Sequence, residues 1–247
     1  MKITYIGHAS ILIEDRGGNL LIDPLFSDKV LFFKRRSPLP FDPKTLPPIS
    51  AILISHLHLD HFDVPSLNYV KTSTPLIVPE GSGDKVLART SNPVIELAPW
   101  ASHEIGNSIK ITAVPSKHSA SLITPLPSRS TNGYIIEGEK TVYFAGDVAY
   151  SKYFSDIGNA FNIDVAILPI GSYRPRFLMK NIHMDPREAL RAFIDTRATY
   201  LIPVHWGAFR LSLEPPHEPI DILKEEAGRS GIEEKIKILE PGNSLII

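Results

Sequence analysis

Cysteine is absent from the 247 residues. That excludes a disulfide framework and any thiolate metal site, and it leaves the redox compartment unread. Net charge is nearly absent too: 26 Lys and Arg against 27 Asp and Glu leave −1, so no basic field recruits nucleic acid, and none is expected as a partner. No apolar run approaches the roughly 20 residues of a membrane span. Met1-Lys2-Ile3-Thr4 enters strand-like sequence without the apolar core of a signal peptide, so a cytoplasmic location is the expectation. Proline, by contrast, is plentiful at 22. It gathers at Pro38, Pro40, Pro43, Pro47 and Pro48, at Pro125 and Pro127, and at Pro215, Pro216 and Pro219; these loops read as rigid. The 43% hydrophobic content is ample for a core, and the length fits one large α/β domain or two small ones.

Apolar, β-branched stretches bounded by turn residues predict strands at Lys2–Gly7, Ser10–Glu14, Leu20–Ile22, Ala51–Ile54, Leu76–Val78, Val94–Leu97 and Ile109–Val114. Tyr134–Ile136 and Thr141–Phe144 flank Glu137-Gly138-Glu139-Lys140 as a hairpin. Further strands are predicted at Val165–Leu168, Tyr200–Val204, Lys237–Leu239 and Ser244–Ile247. Helices are predicted near Pro65, over Lys152–Asn159, from Pro186 to about Arg197, and around Ile220–Ala227. Residues 26–48 read as one long Pro-rich loop. With no composition break and no repeat, this order implies a layered α/β sandwich in a single domain over residues 1–247.

The densest chemistry is Ser55-His56-Leu57-His58-Leu59-Asp60-His61. It follows a predicted buried strand. His56 and His58 are two apart, so in an extended segment they leave the same face, while Asp60 and His61 turn with the loop. One histidine in such a loop would cap backbone groups; three with an aspartate point to a metal. Imidazole and carboxylate without thiolate suit zinc, and also manganese or iron. Four more candidates share a placement just after a predicted strand: Asp23, His118, Asp147 and His205. Strand ends on one sheet edge converge in space. Taken singly, each is also explained as a turn cap or a satisfied core histidine. Gly146 favours the site reading at Asp147, because a missing side chain permits close backbone approach.

His56-x-His58-x-Asp60-His61, His118, Gly146-Asp147 and His205, in this order, resemble the metallo-β-lactamase superfamily, whose fold is a four-layer αβ/βα sandwich. The resemblance implies two divalent metal ions, most simply zinc. One would be held by His56, His58 and His118, the other by Asp60, His61 and His205, with Asp147 and a hydroxide bridging them. Asp60 and Asp147 would thereby serve catalysis, and Asp23 would accept a ring N–H from a ligating histidine. Ile3–Ser10, Leu21–Ser27, Lys34–Pro38, Phe144–Asp147 with Tyr150, Pro169–Gly171 with Tyr173, Pro175-Arg176, His183–Pro186 and His205-Trp206-Gly207 resemble one branch more narrowly. That branch is the N-acyl-phosphatidylethanolamine-hydrolysing phospholipase D family and its bacterial relatives, which cleave the phosphodiester of a lipid head group. His183 matches the family's additional active-site histidine, outside the metal ligands and facing substrate.

Several residues keep two readings. Tyr173, Arg174 and Arg176 are candidate substrate contacts, the arginines either as bidentate phosphate clamps or paired with surface acids. Leu31-Phe32-Phe33-Lys34-Arg35-Arg36 sets apolar rings beside three cations. It can touch a membrane surface peripherally, or it is a core-packed Phe pair followed by solvated charges. His8 is either behind the metal ligands or a satisfied core histidine; His103 and His217 read as surface residues. The expected function is a dinuclear metal hydrolase of a phosphodiester, with a small-molecule or phospholipid substrate. Alternatives are a lactonase or other ester hydrolase on the same fold, then a nuclease. A non-catalytic metal-binding module is disfavoured by the complete set of seven ligand candidates, because a site freed from catalysis need not retain all of them; fold alone does not decide among these chemistries.

Overall fold

Strands buried on both faces must be apolar at every position, and the central strands here are. In Val165-Ala166-Ile167-Leu168, Val165 and Ile167 join one core cluster while Ala166 and Leu168 join another. The same alternation splits Ile11 and Ile13 from Leu12, Leu20 and Ile22 from Leu21, and Leu53 from Ile52.

The computed structural model describes residues 1–106, 108–118 and 131–247; Pro125, Pro127 and the residue after His118 lie outside them. The amino-terminal part supplies β1 (Lys2–Gly7), β2 (Ser10–Asp15), β3 (Gly18–Ile22), β4 (Lys29–Val30), β5 (Phe33–Lys34), β6 (Ala51–Leu53), β7 (Leu76–Pro79) and β8 (Val94–Leu97). The short helices α1 (Val64–Leu67) and α2 (Gly83–Leu87) lie between them in the chain. Beyond these come β9 (Ser102–Ile105), β10 (Ile109–Pro115), β11 (Asn132–Glu137), β12 (Thr141–Phe144), β13 (Val165–Pro169), β14 (Tyr200–Val204) and β15 (Ser244–Ile246). The helices of this part are α3 (Tyr153–Ala160), α4 (Arg176–Met179), α5 (Pro186–Thr196) and α6 (Glu218–Arg229).

Seven strands form one sheet in the order β15-β1-β2-β3-β6-β7-β8, and six form another in the order β14-β13-β12-β11-β10-β9. One apolar cluster fills the space between the sheets, drawing Tyr5, Ile11 and Leu53 from the first and Ile111, Tyr134 and Ile167 from the second. A second cluster seals the outer face of the six-stranded sheet under α3, α5 and α6, through Phe154, Phe193 and Leu223. A third covers the outer face of the seven-stranded sheet under α1 and α2, through Leu67 and Val86. The result is the four-layer αβ/βα sandwich. Tyr134 pins the sheets together, donating its hydroxyl to the Ile54 carbonyl at 2.8 Å, so its buried polar end is satisfied.

Strand direction positions the site. β3 and β6 run parallel, as do β12, β13 and β14. β10 shares the direction of β12, since both are antiparallel to β11. The segments after β3, β6, β10, β12 and β14 therefore leave through carboxyl ends of strands, and these carry Asp23, the histidine run, His118, Asp147 and His205.

The expected elements form, with four differences. Lys237–Leu239 is not a strand: after a 3-10 turn at Glu233–Lys235 the chain makes only an isolated bridge at Ile236 to Leu201 and one bond from Lys237 N to Leu201 O at 2.7 Å. Residues 26–48 are not featureless, because β4 and β5 pair as a ribbon and Pro43–Thr45 forms a 3-10 turn capped by Asp42. The elements α2, α4 and β9 lack strong local signals; β9 exists because it pairs with β10 through Ile105↔Ile109 and three further positions. The histidine run is irregular backbone beyond β6, turned by His61 N and Phe62 N onto His58 O at 3.0 and 2.8 Å, so its side chains converge through a loop rather than through an extended face.

Candidate metal centre

Each candidate ligand is fixed by the backbone that carries it. His205 follows β14 directly at φ 63°, Asp23 follows β3 at φ 41°, and Gly146, just before Asp147, has φ 62°. His8 adds a fourth left-handed residue at φ 57°. Non-glycine residues rarely adopt this region, and when held there they mark sites where the surrounding structure dictates the backbone. Gly171 shows how tight the packing is: a Cβ there would lie 1.9 Å from the His205 carbonyl oxygen. Asn132 and Ser55 link the sheets beside the histidine run, Asn132 N donating to Ser55 O at 3.0 Å.

The ring nitrogens and carboxylates gather in two overlapping groups. In the first, His56 Nε2 lies 2.8 Å from His58 Nδ1, and His118 Nε2 lies 3.4 Å from the same atom. In the second, Asp60 Oδ2 is 3.6 Å from His61 Nε2 and 3.4 Å from His205 Nε2. Asp147 Oδ2 spans both groups, 3.2 Å from His61 Nε2, 3.3 Å from His205 Nε2 and 4.0 Å from His56 Nε2. Zinc holds nitrogen at about 2.0–2.1 Å, which places neighbouring tetrahedral donors about 3.3 Å apart. The observed spacings bracket that value, and the side chains fall into sets whose ligand atoms lie within 4.8 Å of one another.

Outer hydrogen bonds set which nitrogen is bare. Asp23 accepts Ser55 N at 2.7 Å, the Ser55 hydroxyl at 2.5 Å and His61 Nδ1–H at 2.7 Å. With its proton given to Asp23, the Ser55 hydroxyl accepts from His56 Nδ1–H at 3.0 Å. His118 Nδ1–H donates to the Ile182 carbonyl at 3.0 Å. Three rings are thereby held in the tautomer that leaves Nε2 with a free lone pair, the arrangement typical of ligating histidines. Among the described residues, His61 Nε2, His205 Nε2, Asp147 Oδ1 and His183 Nδ1 are buried without a hydrogen-bond partner. Buried polar atoms are rarely left so, and a cluster of them calls for an ion.

Electrostatics agree. Burial pushes His56 well below its ordinary value, His58 down to about 4 and His183 to about 3, so these rings are neutral and able to ligate. Burial would raise Asp147, but His205, His61 and His183 together outweigh it and hold the carboxyl well below the usual carboxylate range. Burial likewise lowers His61 and His205, and the carboxylates of Asp147 and Asp60 override it, leaving His61 well above its usual value and His205 raised to about 9. Two buried carboxylates thus demand positive charge at the point where the second set of donors converges. A divalent ion supplies it without protonating the rings. The residues present fit such an ion.

His8 belongs to this centre, and its sequence context left the matter open. Its Nε2–H donates to Asp60 Oδ2 at 3.0 Å, its ring lies 4.0 Å from that of His205, and its carbonyl accepts His205 N at 2.7 Å. The local signal was Gly7-His8 at a strand end; the partner lies 52 residues away. His183 follows α4, with its N bonded to Met179 O at 2.9 Å and its Nδ1 3.8 Å from Asp147 Oδ2. Arg176 holds that segment, donating to the His183 carbonyl at 2.9 Å and pairing with Glu188 and Asp185. Glu188 and Asp185 also form the capping box that starts α5. Arg174 pairs with Glu218 at 2.8 Å, and the Tyr173 hydroxyl donates to the same carboxylate. Both arginines therefore have acid partners, and of the three substrate candidates Arg174 alone borders the cleft above the centre. His103 sits half-buried on β9 and His217 is exposed just before α6, both away from the cluster.

That cleft has a volume of about 410 Å³. Its floor is His58, Asp60, His118, Asp147, His183 and His205; Val30, Leu31, Phe33, Met179, Ile182 and Leu213 form much of its wall.

Comparison with known proteins gives this geometry a family. A β-lactamase superfamily domain model matches residues 18–206. A metal-dependent hydrolase of the UPF0173 group from Methanopyrus kandleri is 31% identical, over 99% of this chain and 99% of that protein. N-acyl-phosphatidylethanolamine-hydrolyzing phospholipase D 1 of Caenorhabditis elegans is 32% identical, over 90% of this chain and 68% of that protein. The chain spans 63% of the length of an uncharacterized Mycobacterium tuberculosis relative that is 31% identical. In fold, the chain superposes on an isothiocyanate hydrolase from Delia radicum gut bacteria with TM-score 0.82 and 21% identity, covering 100% of this chain and 99% of that one. No helix among the described residues is long and apolar enough to cross a membrane. The chain belongs to the metallo-β-lactamase superfamily.

Proposed function

We propose that the protein is a phosphodiesterase working with two divalent ions, most simply zinc, and that its substrate is a phospholipid of the N-acyl-phosphatidylethanolamine kind. The observation that carries this reading is the pairing of one seven-residue donor set with a cleft that is apolar in its walls and cationic at its rim through Arg174 and Arg210. A diacyl phosphodiester presents that combination of charge and hydrocarbon.

His56, His58 and His118 would hold one ion and Asp60, His61 and His205 the other, with Asp147 shared. Bound there, the ions supply Lewis acidity at the phosphoryl oxygens and make water a usable nucleophile near neutral pH. The chain's own work is orientation. Asp23 fixes the ring of His61, Ser55 that of His56, the Ile182 carbonyl that of His118, and His8 the carboxylate of Asp60. His183 is held on the floor of the cleft by Arg176, which donates to its carbonyl, and donates a hydrogen bond to a phosphoryl or leaving oxygen. The apolar wall takes the acyl portion and excludes bulk water.

An ester hydrolase or lactonase is the second reading, favoured by the engagement of Arg174 with Glu218, which leaves the cleft less cationic than its composition suggests. Zinc-loaded protein assayed in parallel on a bis-aryl phosphodiester, an N-acyl phospholipid and a lactone separates the two. Cleavage of the phosphodiester and phospholipid is the expected result. Turnover of the lactone alone would replace this reading with the second.

A further inference from the structure

Three separated segments around the cleft share one composition. Leu31 and Phe32, at the turn of the β4–β5 ribbon, are 54% and 77% exposed; Phe177 and Leu178 on α4 are 83% and 44% exposed; Leu213 is 66% exposed. Solvent-facing side chains of this size on three segments are unexplained by the core. Val30 forms a buried cluster with Leu25, Ala208 and Phe209, against which Leu211 packs. The segments are interlocked around a common mouth. Leu31, Met179 and Leu213 line the same cleft, Ser212 Oγ donates to Arg174 O at 2.6 Å, and Arg36 N donates to Ala208 O at 2.8 Å. The core-packed alternative for the Phe32-Phe33 pair therefore fails for Phe32, whose ring lies 4.3 Å from that of Phe33, tilted by 39°, but otherwise faces solvent.

The charge on these segments is one-sided. Residues 28–36, 174–180 and 210–213 contain a single acid, Asp28, against eight cations. Arg35 is tied inward, its guanidinium donating to Leu25 O at 2.5 Å and lying 4.8 Å over the Phe209 ring, and Arg174 and Arg176 are paired as described. Lys29, Lys34, Arg36, Lys180 and Arg210 are exposed. A chain of net charge −1 has thus placed a local excess of cations among its exposed rings, around the entrance of the cleft.

We propose that this rim is a docking face for an anionic lipid bilayer, with Leu31, Phe32, Phe177, Leu178 and Leu213 entering the head-group region and the surrounding lysines and arginines meeting lipid phosphates. Apolar insertion and cation contact reinforce each other at such surfaces. A second copy of this chain fits less well, because a two-fold contact would set the same cations face to face. The face gives the cleft its substrate supply: a phospholipid enters without leaving the membrane plane. The proposal rests on the phospholipid reading for its purpose only, since binding is measured without turnover.

The test is co-sedimentation of the zinc-loaded protein with phosphatidylcholine vesicles, with and without phosphatidylglycerol, at two salt concentrations. Strong, salt-sensitive binding to the anionic vesicles and weak binding to the neutral ones are expected. The double variant Phe32→Ser/Phe177→Ser should lose affinity by roughly tenfold per ring. The pair Lys34→Glu/Arg36→Glu, which reverses two of the five exposed cations, should lose at least roughly thirtyfold on the anionic vesicles and narrow the difference between the two vesicle types. Circular dichroism and the thermal midpoint report whether each variant is folded, and turnover of a soluble bis-aryl phosphodiester should be unchanged in both. Absence of binding by the wild-type protein to anionic vesicles overturns the docking face and leaves the hydrolase reading intact. So does a concentration-dependent dimer, in sedimentation without vesicles, that the phenylalanine variant abolishes. Loss of soluble turnover in a folded Phe32→Ser/Phe177→Ser variant would make the rings part of the site and would also refute the proposal.

Discussion

Replacing Asp147 with Ala is expected to remove nearly all hydrolysis and to disturb bound metal more than any other single substitution. Its Oδ2 is within 3.2–3.3 Å of His61 Nε2 and His205 Nε2 and 4.0 Å from His56 Nε2, so in the proposed two-ion arrangement one truncation would strip a donor from both ion positions. It also deletes one of the two carboxylates that concentrate negative charge there. Turnover should fall by at least the roughly 10²–10³-fold that follows loss of one charge-stabilising group. The loss should exceed the 10–100-fold typical of removing an outer partner such as Asp23. Asp147→Asn, which keeps the shape and loses the charge, should be nearly as damaging in metal content. Elemental analysis beside kcat/KM checks both. A folded Asp147→Ala protein with full metal and normal turnover would show that the carboxylate bridges nothing.

His183→Ala should separate chemistry from metal. His183 lies across the cleft floor from the histidine run, 3.8 Å from Asp147 through Nδ1, and its ring centroid is 5.2 Å from that of His118 and 5.5 Å from that of His205. If it contacts substrate without ligating, metal content stays at the wild-type value while turnover falls by roughly 10²–10⁴-fold, the range for a positioned acid or hydrogen-bond donor. The loss should appear in kcat more than in KM, because such a contact strengthens as charge develops. Loss of metal from the folded variant would make His183 a ligand. No change in either quantity would reduce it to packing beside α5.

What could be read from the chain, and what could not, divides by the range of the interactions involved. The histidine run, the hairpin around Gly138 and the strands at 11–13, 165–168 and 200–204 carry local patterns, and the structure contains each of them. The five strand-end loops were also legible, because a polar or charged residue after an apolar run marks where a strand leaves the core. Long-range pairings were not. β9 has no strong pattern and forms because β10 offers an edge. Lys237–Leu239 has a strand-like pattern and stays irregular: the bridge to Leu201 is made by Ile236, just before it, and Lys237 N adds one bond to Leu201 O. His8 shows its role only through Asp60, 52 positions on, and Arg176 through Glu188 and the His183 carbonyl. The segment 31–36 mixed two fates that composition could not separate: Arg35 is drawn inward to Leu25 and Phe209 while Phe32 faces out.

The central claim is a pair of ions held by His56, His58, His118, Asp60, His61, His205 and Asp147. It is tested most directly by loading the protein with excess zinc, desalting it, and measuring metal per chain by elemental analysis. Two ions per chain is the predicted result, falling below two in Asp147→Ala. One ion per chain would contradict the shared-carboxylate arrangement, and none would contradict the metal centre itself.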